Sequence, residues 1–132
     1  MKIDDEALVE AAKAVREHAH APYSHYLVGA AVLDENGRIH RGCNMENAAY
    51  PEGICAETGA IAAMVAAGGK RIVAIAAVGG RDVLEACTPC GGCRQRIAEF
   101  ADGDTRIILL DHQGLPRHHK IQDLLPGSFV LR

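Results

Sequence analysis

Ile72-Val73-Ala74-Ile75-Ala76-Ala77-Val78 is an apolar run without a polar break. Such a run reads as a β-strand covered on both faces, because a half-exposed strand would alternate apolar with polar residues. Helices must then supply the cover. Upstream, Cys55 to Ala67 has the Ala, Ile and Met content of a helix, which Gly68-Gly69 would stop. Downstream, a helix is expected from near Pro89, a residue suited to a first helical turn, to Phe100. Arg106 to Leu110 predicts another strand, and Ile121 to Leu125 a short terminal helix ahead of Pro126-Gly127. At the other end, Leu8, Ala11, Ala12, Val15 and Ala19 recur at helical spacing after the candidate N-caps Asp4 and Asp5. They predict an amphipathic helix ending before Ala21-Pro22. Leu27 to Leu33 reads as a strand, Asp34-Glu35-Asn36-Gly37 as a hairpin turn with an Asn-Gly signal, and Arg38 to Cys43 as the returning strand. The order helix, hairpin, helix, strand, helix, strand, helix predicts an α/β sandwich with a mixed sheet between helical layers.

The 132 residues hold no repeat, low-complexity tract or dividing linker, so residues 1–132 are expected to form one domain. At 48% hydrophobic and 23% charged, the chain can bury a core and is not a disordered one. A net charge of −3 argues against a partner gripped through its phosphate backbone, and 4% aromatic content against stacking a run of bases. A single small molecule is the expected partner. No apolar segment follows Met1-Lys2-Ile3-Asp4-Asp5-Glu6, and the uncharged stretch from Gly59 to Gly69 is too short to cross a bilayer. The expected setting is therefore cytoplasmic, away from membranes. Five cysteines in a reducing compartment favour metal binding, catalysis or burial over a disulfide framework.

The chemistry concentrates in Cys55-Ala56-Glu57 and Pro89-Cys90-Gly91-Gly92-Cys93. Two residues between Cys90 and Cys93 at a helix start let both sulfurs point at one zinc ion, at about 2.3 Å each. Cys55 opens the other predicted helix, so two positive helix ends would offset the thiolate charge. Three protein ligands leave a fourth position open, the mark of a catalytic site. Glu57 does not share a helix face with Cys55 and is better placed to move protons than to bind the metal. A thioredoxin-like redox pair is one alternative, but it leaves Cys55 and Glu57 idle. A closed structural zinc site that binds a partner or RNA is another. It needs a fourth ligand, for which Cys43, Cys87, His25, His40 and His112 are available.

With these motifs the chain resembles the small, homotetrameric, zinc-dependent cytidine deaminases. The resemblance also covers Pro22-Tyr23-Ser24-His25-Tyr26-Leu27-Val28-Gly29-Ala30-Ala31, Gly42-Cys43-Asn44-Met45-Glu46-Asn47-Ala48-Ala49-Tyr50 and Leu124-Leu125-Pro126-Gly127-Ser128-Phe129. It implies a three-layer α/β/α sandwich with a mixed five-stranded sheet, and one Zn²⁺ per subunit on Cys55, Cys90 and Cys93. Glu57 becomes the proton shuttle in hydrolysis at C4 of the cytosine ring. It further implies that Asn44 and Glu46 hold the ribose hydroxyls, and that Tyr26 and Ala56 lie against the nucleoside. Ala48, Tyr50 and Phe129 would arrive from neighbouring subunits of a homotetramer with shared active sites. The implied reaction turns cytidine, and 2′-deoxycytidine, into the uridine product plus ammonia in pyrimidine salvage. The runner-up keeps the chemistry and changes the substrate to a modified cytosine nucleoside, such as blasticidin S or an N4-substituted cytidine. An RNA- or DNA-editing deaminase fits the acidic charge less well.

The chain departs from the resemblance at two places. Many members with three Cys ligands carry Arg directly after the catalytic Glu, where Thr58 stands here. Three thiolates leave a zinc site with a formal negative charge, so Thr58, the helix dipoles or a displaced Arg is expected to compensate, with Arg94 the candidate nearest in sequence. Tyr26 stands where Phe is common, and Pro51-Glu52-Gly53-Ile54 precedes Cys55. Cys43 reads as a small buried residue and Cys87 as an accidental thiol, while Arg117-His118-His119-Lys120 reads as a solvated surface loop.

Overall fold

The sheet of this computed structural model, which describes residues 4–131, consists of β1 (Leu27–Asp34), β2 (Ile39–Cys43), β3 (Ile72–Gly80), β4 (Arg106–Leu110) and β5 (Pro116–His119). The reading of Met1, Lys2 and Ile3 lies outside the described residues. Strand order is β2-β1-β3-β4-β5, with β3 and β4 parallel and every other neighbouring pair antiparallel. The sheet is mixed and five-stranded. The apolar run at Ile72 is its central strand, buried along nearly its whole length.

Side-chain alternation sorts two cores onto the two faces. Ala31, Leu33, Ala74, Ala76, Val78, Ile108 and Leu110 pack under α1 (Asp5–Arg16). Ala30, Val32, Ile75, Ala77, Ile107 and Leu109 pack under α2 (Ala56–Ala66) and α3 (Gly91–Phe100), with the short α4 (Ile121–Leu124) closing that layer. The result is an α/β/α sandwich. Each buried Ile or Leu contributes roughly 1.5–3 kcal/mol, while the many Ala residues bring helices close to the sheet. Asp4 caps α1 by accepting from the Ala7 N–H at 2.9 Å. Two glycines permit the closest helix–sheet crossings. A Cβ on Gly29 would lie 2.0 Å from the Ala12 carbonyl oxygen, and one on Gly42 would lie 2.3 Å from the Ala60 nitrogen.

Three local expectations are corrected. Arg117, His118 and His119 form edge strand β5, with Ile108 opposite His118, and are not a loop. A polar edge strand pairs through its backbone and carries charge to blunt its free side, so it lacks the apolar alternation that announces a strand. Helix α3 starts at Gly91 with Cys90 as N-cap, which leaves Pro89 just outside the first turn. Cys43, expected to be buried, is half-buried at the end of β2.

Candidate metal and catalytic site

Helices α2 and α3 lie side by side on one face of the sheet, and each begins with a cysteine in the N-cap position, Cys55 and Cys90. Extended backbone at both residues leads the chain into a helix; at α3 the Cys93 N–H reaches Cys90 Sγ at 3.5 Å, whereas the Cys55 sulfur takes no capping bond from α2. Cys93 follows one turn into α3 and is fully buried. The three sulfurs all lie within 4.8 Å of one another. Cys55 and Cys90 Sγ are 3.7 Å apart, far beyond an S–S bond, and both thiols are free.

Tetrahedral zinc–sulfur bonds of about 2.3 Å place sulfurs about 3.8 Å apart. The donor set therefore fits a zinc ion. Among the described residues no fourth His, Cys or carboxylate joins the group, which disfavours a closed structural site. His40, one candidate fourth ligand, is engaged with Asp34 at 2.7 Å. The sulfurs also perturb one another. A hydrogen bond with Cys93 pulls the Cys55 thiol down, whereas that bond and burial push Cys93 up.

Glu57 sits in the first turn of α2, only 5% exposed, and burial pushes its carboxyl above the usual range. It faces a cavity of about 590 Å³ onto which Cys55, Cys90, Ala56, Asn44, Glu46 and Tyr50 also open. Cys93 is not among the lining residues and lies behind the other two sulfurs. The cavity thus joins a thiol cluster, a protonatable buried carboxyl and a polar wall. Its size is that of a small-molecule site.

The polar wall is built by backbone capture. Asn44 Oδ1 accepts from the Val28 N–H at 2.8 Å, and its Nδ2 donates to the Tyr26 carbonyl at 2.8 Å. The Glu46 carboxylate accepts from the Tyr23 and Ser24 N–H groups at 3.0 and 3.1 Å and from the Ser24 hydroxyl, which holds it below the usual carboxylate range. Three other residues singled out from the sequence, Tyr26, Ala48 and Phe129, do not line this cavity. Tyr26 is half-buried, and burial together with Cys87 raises its phenol. Ala48 is exposed, and Phe129 is 72% exposed.

Sequence reasoning missed Ser24, which clamps Glu46, and Cys87 and Thr88, which do line the cavity. The Pro22-Tyr23-Ser24 block carried a signal for the first, but its hydroxyl had no visible partner in sequence. Cys87 lies in the loop leading to Cys90, so chain continuity alone would have placed it near the site. Arg94 is committed elsewhere, donating to the Pro89 carbonyl at 2.8 Å and the Leu124 carbonyl at 2.9 Å.

Residues 2–110 match the family model for the cytidine and deoxycytidylate deaminase zinc-binding region. A cytidine deaminase of Sporosarcina psychrophila is 42% identical over 127 residues, covering 96% of this chain and 92% of the relative. A second, from Halalkalibacterium halodurans, is 40% identical and covers 97% of this chain and 96% of its own length. In three dimensions, the crystal structure of a cytidine deaminase from Burkholderia pseudomallei superposes with a TM-score of 0.87 at 42% identity. That match spans 96% of this chain and all of the other.

Proposed function

We propose, from the premise that this chain belongs to the cytidine and deoxycytidylate deaminase family, that it hydrolyses cytidine to uridine and ammonia. The observation that carries this reading is the buried Glu57 carboxyl opening onto the same cavity as the Cys55 and Cys90 sulfurs. Cys55, Cys90 and Cys93 would hold one zinc ion per subunit. When bound, zinc acidifies a water and so supplies a nucleophile near neutral pH.

Glu57 then has the proton work. Its carboxylate accepts a proton as the water oxygen bonds to C4 of the cytosine, and hands it to ring N3. The remaining proton on the oxygen now bonded to C4 passes through Glu57 to the exocyclic nitrogen, the C4–N bond breaks as the C4 carbonyl forms, and ammonia departs. A carboxyl whose affinity for protons is raised by burial is suited to both halves of that exchange. Glu46, held as an ionised carboxylate, can only accept, so it would select a hydroxyl donor on the sugar. Asn44 keeps one N–H and one lone pair beyond its two backbone bonds, and these would face the same sugar.

Acceptance of 2′-deoxycytidine and a place in pyrimidine salvage belong to the same reading. Five cysteines, all free, suit a reducing, cytoplasmic setting, and among the described residues no helix is long and apolar enough to cross a membrane. We also assign a homotetramer. Tyr50 is 82% exposed at the cavity, and Phe129, Val130 and Leu131 form an exposed apolar run, as expected of residues covered by neighbouring copies. In that assembly Ala48 and Phe129 would help close a neighbour's site, whereas Tyr50 already lines the cavity of its own chain; Tyr26 would support the cavity wall.

The test is conversion of cytidine to uridine by zinc-loaded protein, with Glu57→Gln as the paired control. Turnover that disappears in the variant, with zinc and fold retained, is the expected result. Near-normal turnover in Glu57→Gln would remove the proton shuttle. An inactive but zinc-loaded wild-type protein would shift the substrate to a modified cytosine.

A further inference from the structure

Three thiolates on a divalent ion leave an excess of negative charge, and the Glu57 carboxyl adds to it in a buried place. The N-termini of α2 and α3 offset part of that charge. The cations nearest in sequence differ in what they reach. Arg94 is tied to two carbonyl groups, holding the loop before Cys90 against the end of α4. Arg96 is the one that reaches a sulfur, with Nη1 at 3.9 Å from Cys93 Sγ.

Several observations fix the meaning of that contact. Cys93 and Arg96 are three apart on α3, so their side chains share a helix face. The Cys93 sulfur belongs to a fully buried residue and therefore depends on protein donors in place of water. From α2, Thr58 Oγ1 approaches the same sulfur at 3.8 Å, so donors converge on it from both helices. Among the described residues Arg96 forms no ion pair within 4.0 Å. Gly92 leaves it room, since a Cβ there would sit 3.2 Å from Arg96 Nη1.

Arg96 also comes from the far side of the cluster. It lines a second hollow of about 380 Å³, together with Thr58, Ile61 and Phe100, which shares no lining residue with the large cavity. Arg96 therefore does not touch what occupies the large cavity, and it meets the cluster at Cys93.

We propose that Arg96, assisted by Thr58, supplies the positive charge that lets the Cys55–Cys90–Cys93 cluster hold its metal, acting as a positioning residue on Cys93. This inference rests on the zinc-ligand reading above. An N–H donor with a full charge stabilises the thiolate form of the ligand and lowers the cost of gathering three anionic sulfurs.

The decisive measurement is zinc affinity by competition with a chromophoric chelator, for wild type, Arg96→Gln, Arg96→Lys and the double variant Arg96→Gln/Thr58→Arg. Arg96→Gln should weaken zinc by about 10- to 100-fold, the usual cost of losing an outer partner of a metal ligand. Arg96→Lys should recover part of the loss, and the double variant should recover it by returning a guanidinium from α2. Thiolate-to-cobalt absorption bands of the Co²⁺-substituted proteins should shift with the loss, whereas thermal unfolding of the metal-free proteins should not. Unchanged zinc affinity in Arg96→Gln would overturn the inference while leaving the metal site standing. A wild-type chain that takes up no zinc would overturn the metal site itself.

Discussion

Asn44 accepts a hydrogen bond from the Val28 N–H at 2.8 Å, and with its amide it simultaneously grips the Tyr26 carbonyl at 2.8 Å. One side chain therefore pins the start of β1 to the wall of the cavity, and fold and site share it. Asn44→Ala leaves a backbone donor and a backbone acceptor unpaired in a half-buried place. The expected cost is about 1–3 kcal/mol in urea unfolding, with a raised KM for cytidine. Asn44→Asp should be at least as harmful, because its second oxygen would face the Tyr26 carbonyl where a donor is needed. Unchanged stability in both variants would show the staple to be idle.

Gly42 and Gly59 make opposite predictions although they are near neighbours. A methyl on Gly42 would lie 2.3 Å from the Ala60 nitrogen and 2.5 Å from the Ala56 carbonyl oxygen, inside the backbone of α2. Gly42→Ala must push α2 off the sheet. It should cost about 1–3 kcal/mol or more, and should also weaken zinc, because α2 carries Cys55. A methyl on Gly59 would lie at an ordinary 3.5 Å from the Gly42 Cα. Gly59→Ala lies within α2 and should instead stabilise the protein by up to about 1 kcal/mol through helix propensity. Equal effects of the two substitutions on the thermal midpoint would contradict the packing described.

What could be read from the sequence was what local pattern dictates. The Ile72 run became the central strand, Gly68 took the positive φ of a helix stop, and the Cys90-x-x-Cys93 spacing, with Cys55 at the start of the other helix, foretold the sulfur cluster. Strand β5 escaped because an edge strand of Arg and His owes its place to backbone pairing with β4, which no local pattern announces. Arg96 escaped for a different reason. Proximity in sequence favoured Arg94, yet on a helix the residue three positions beyond a ligand faces the same way and the adjacent one does not. The bonds of Asn44 were hidden because they depend on the register between segments far apart in sequence.

The five cysteines divide into functional groups that zinc binding can separate. Cys87 lines the cavity but stands outside the sulfur cluster, and burial raises its thiol. Cys87→Ser should keep one zinc per chain. Cys90→Ser replaces a soft ligand at an N-cap with a hydroxyl and should lose most of the metal, along with turnover. Metal content by mass spectrometry under native conditions reads both. Loss of zinc in Cys87→Ser with retention in Cys90→Ser would reverse the assignment of ligands.

A second buried carboxylate works for the fold rather than the reaction. Asp34 is 1% exposed at the end of β1, and burial alone would raise its pKa. Hydrogen bonds from His40 at 2.7 Å, from the N–H groups of Arg38 and Asn36 at 3.0 and 2.8 Å, and from the Arg38 guanidinium outweigh that. The result is a carboxyl held at about 2 rather than 3.8. A folded pKa below the unfolded one means stability that is present above about pH 4 and lost as pH falls toward 2, on the order of 2 kcal/mol in all. Asp34→Asn should therefore be less stable than wild type by about that amount at pH 7, and the gap should shrink by roughly half at pH 3. Taking the difference between the two proteins cancels the shared effect of acid on the metal site. Urea unfolding at a series of pH values measures it, and a gap independent of pH would show that the Asp34 charge contributes nothing to the hairpin.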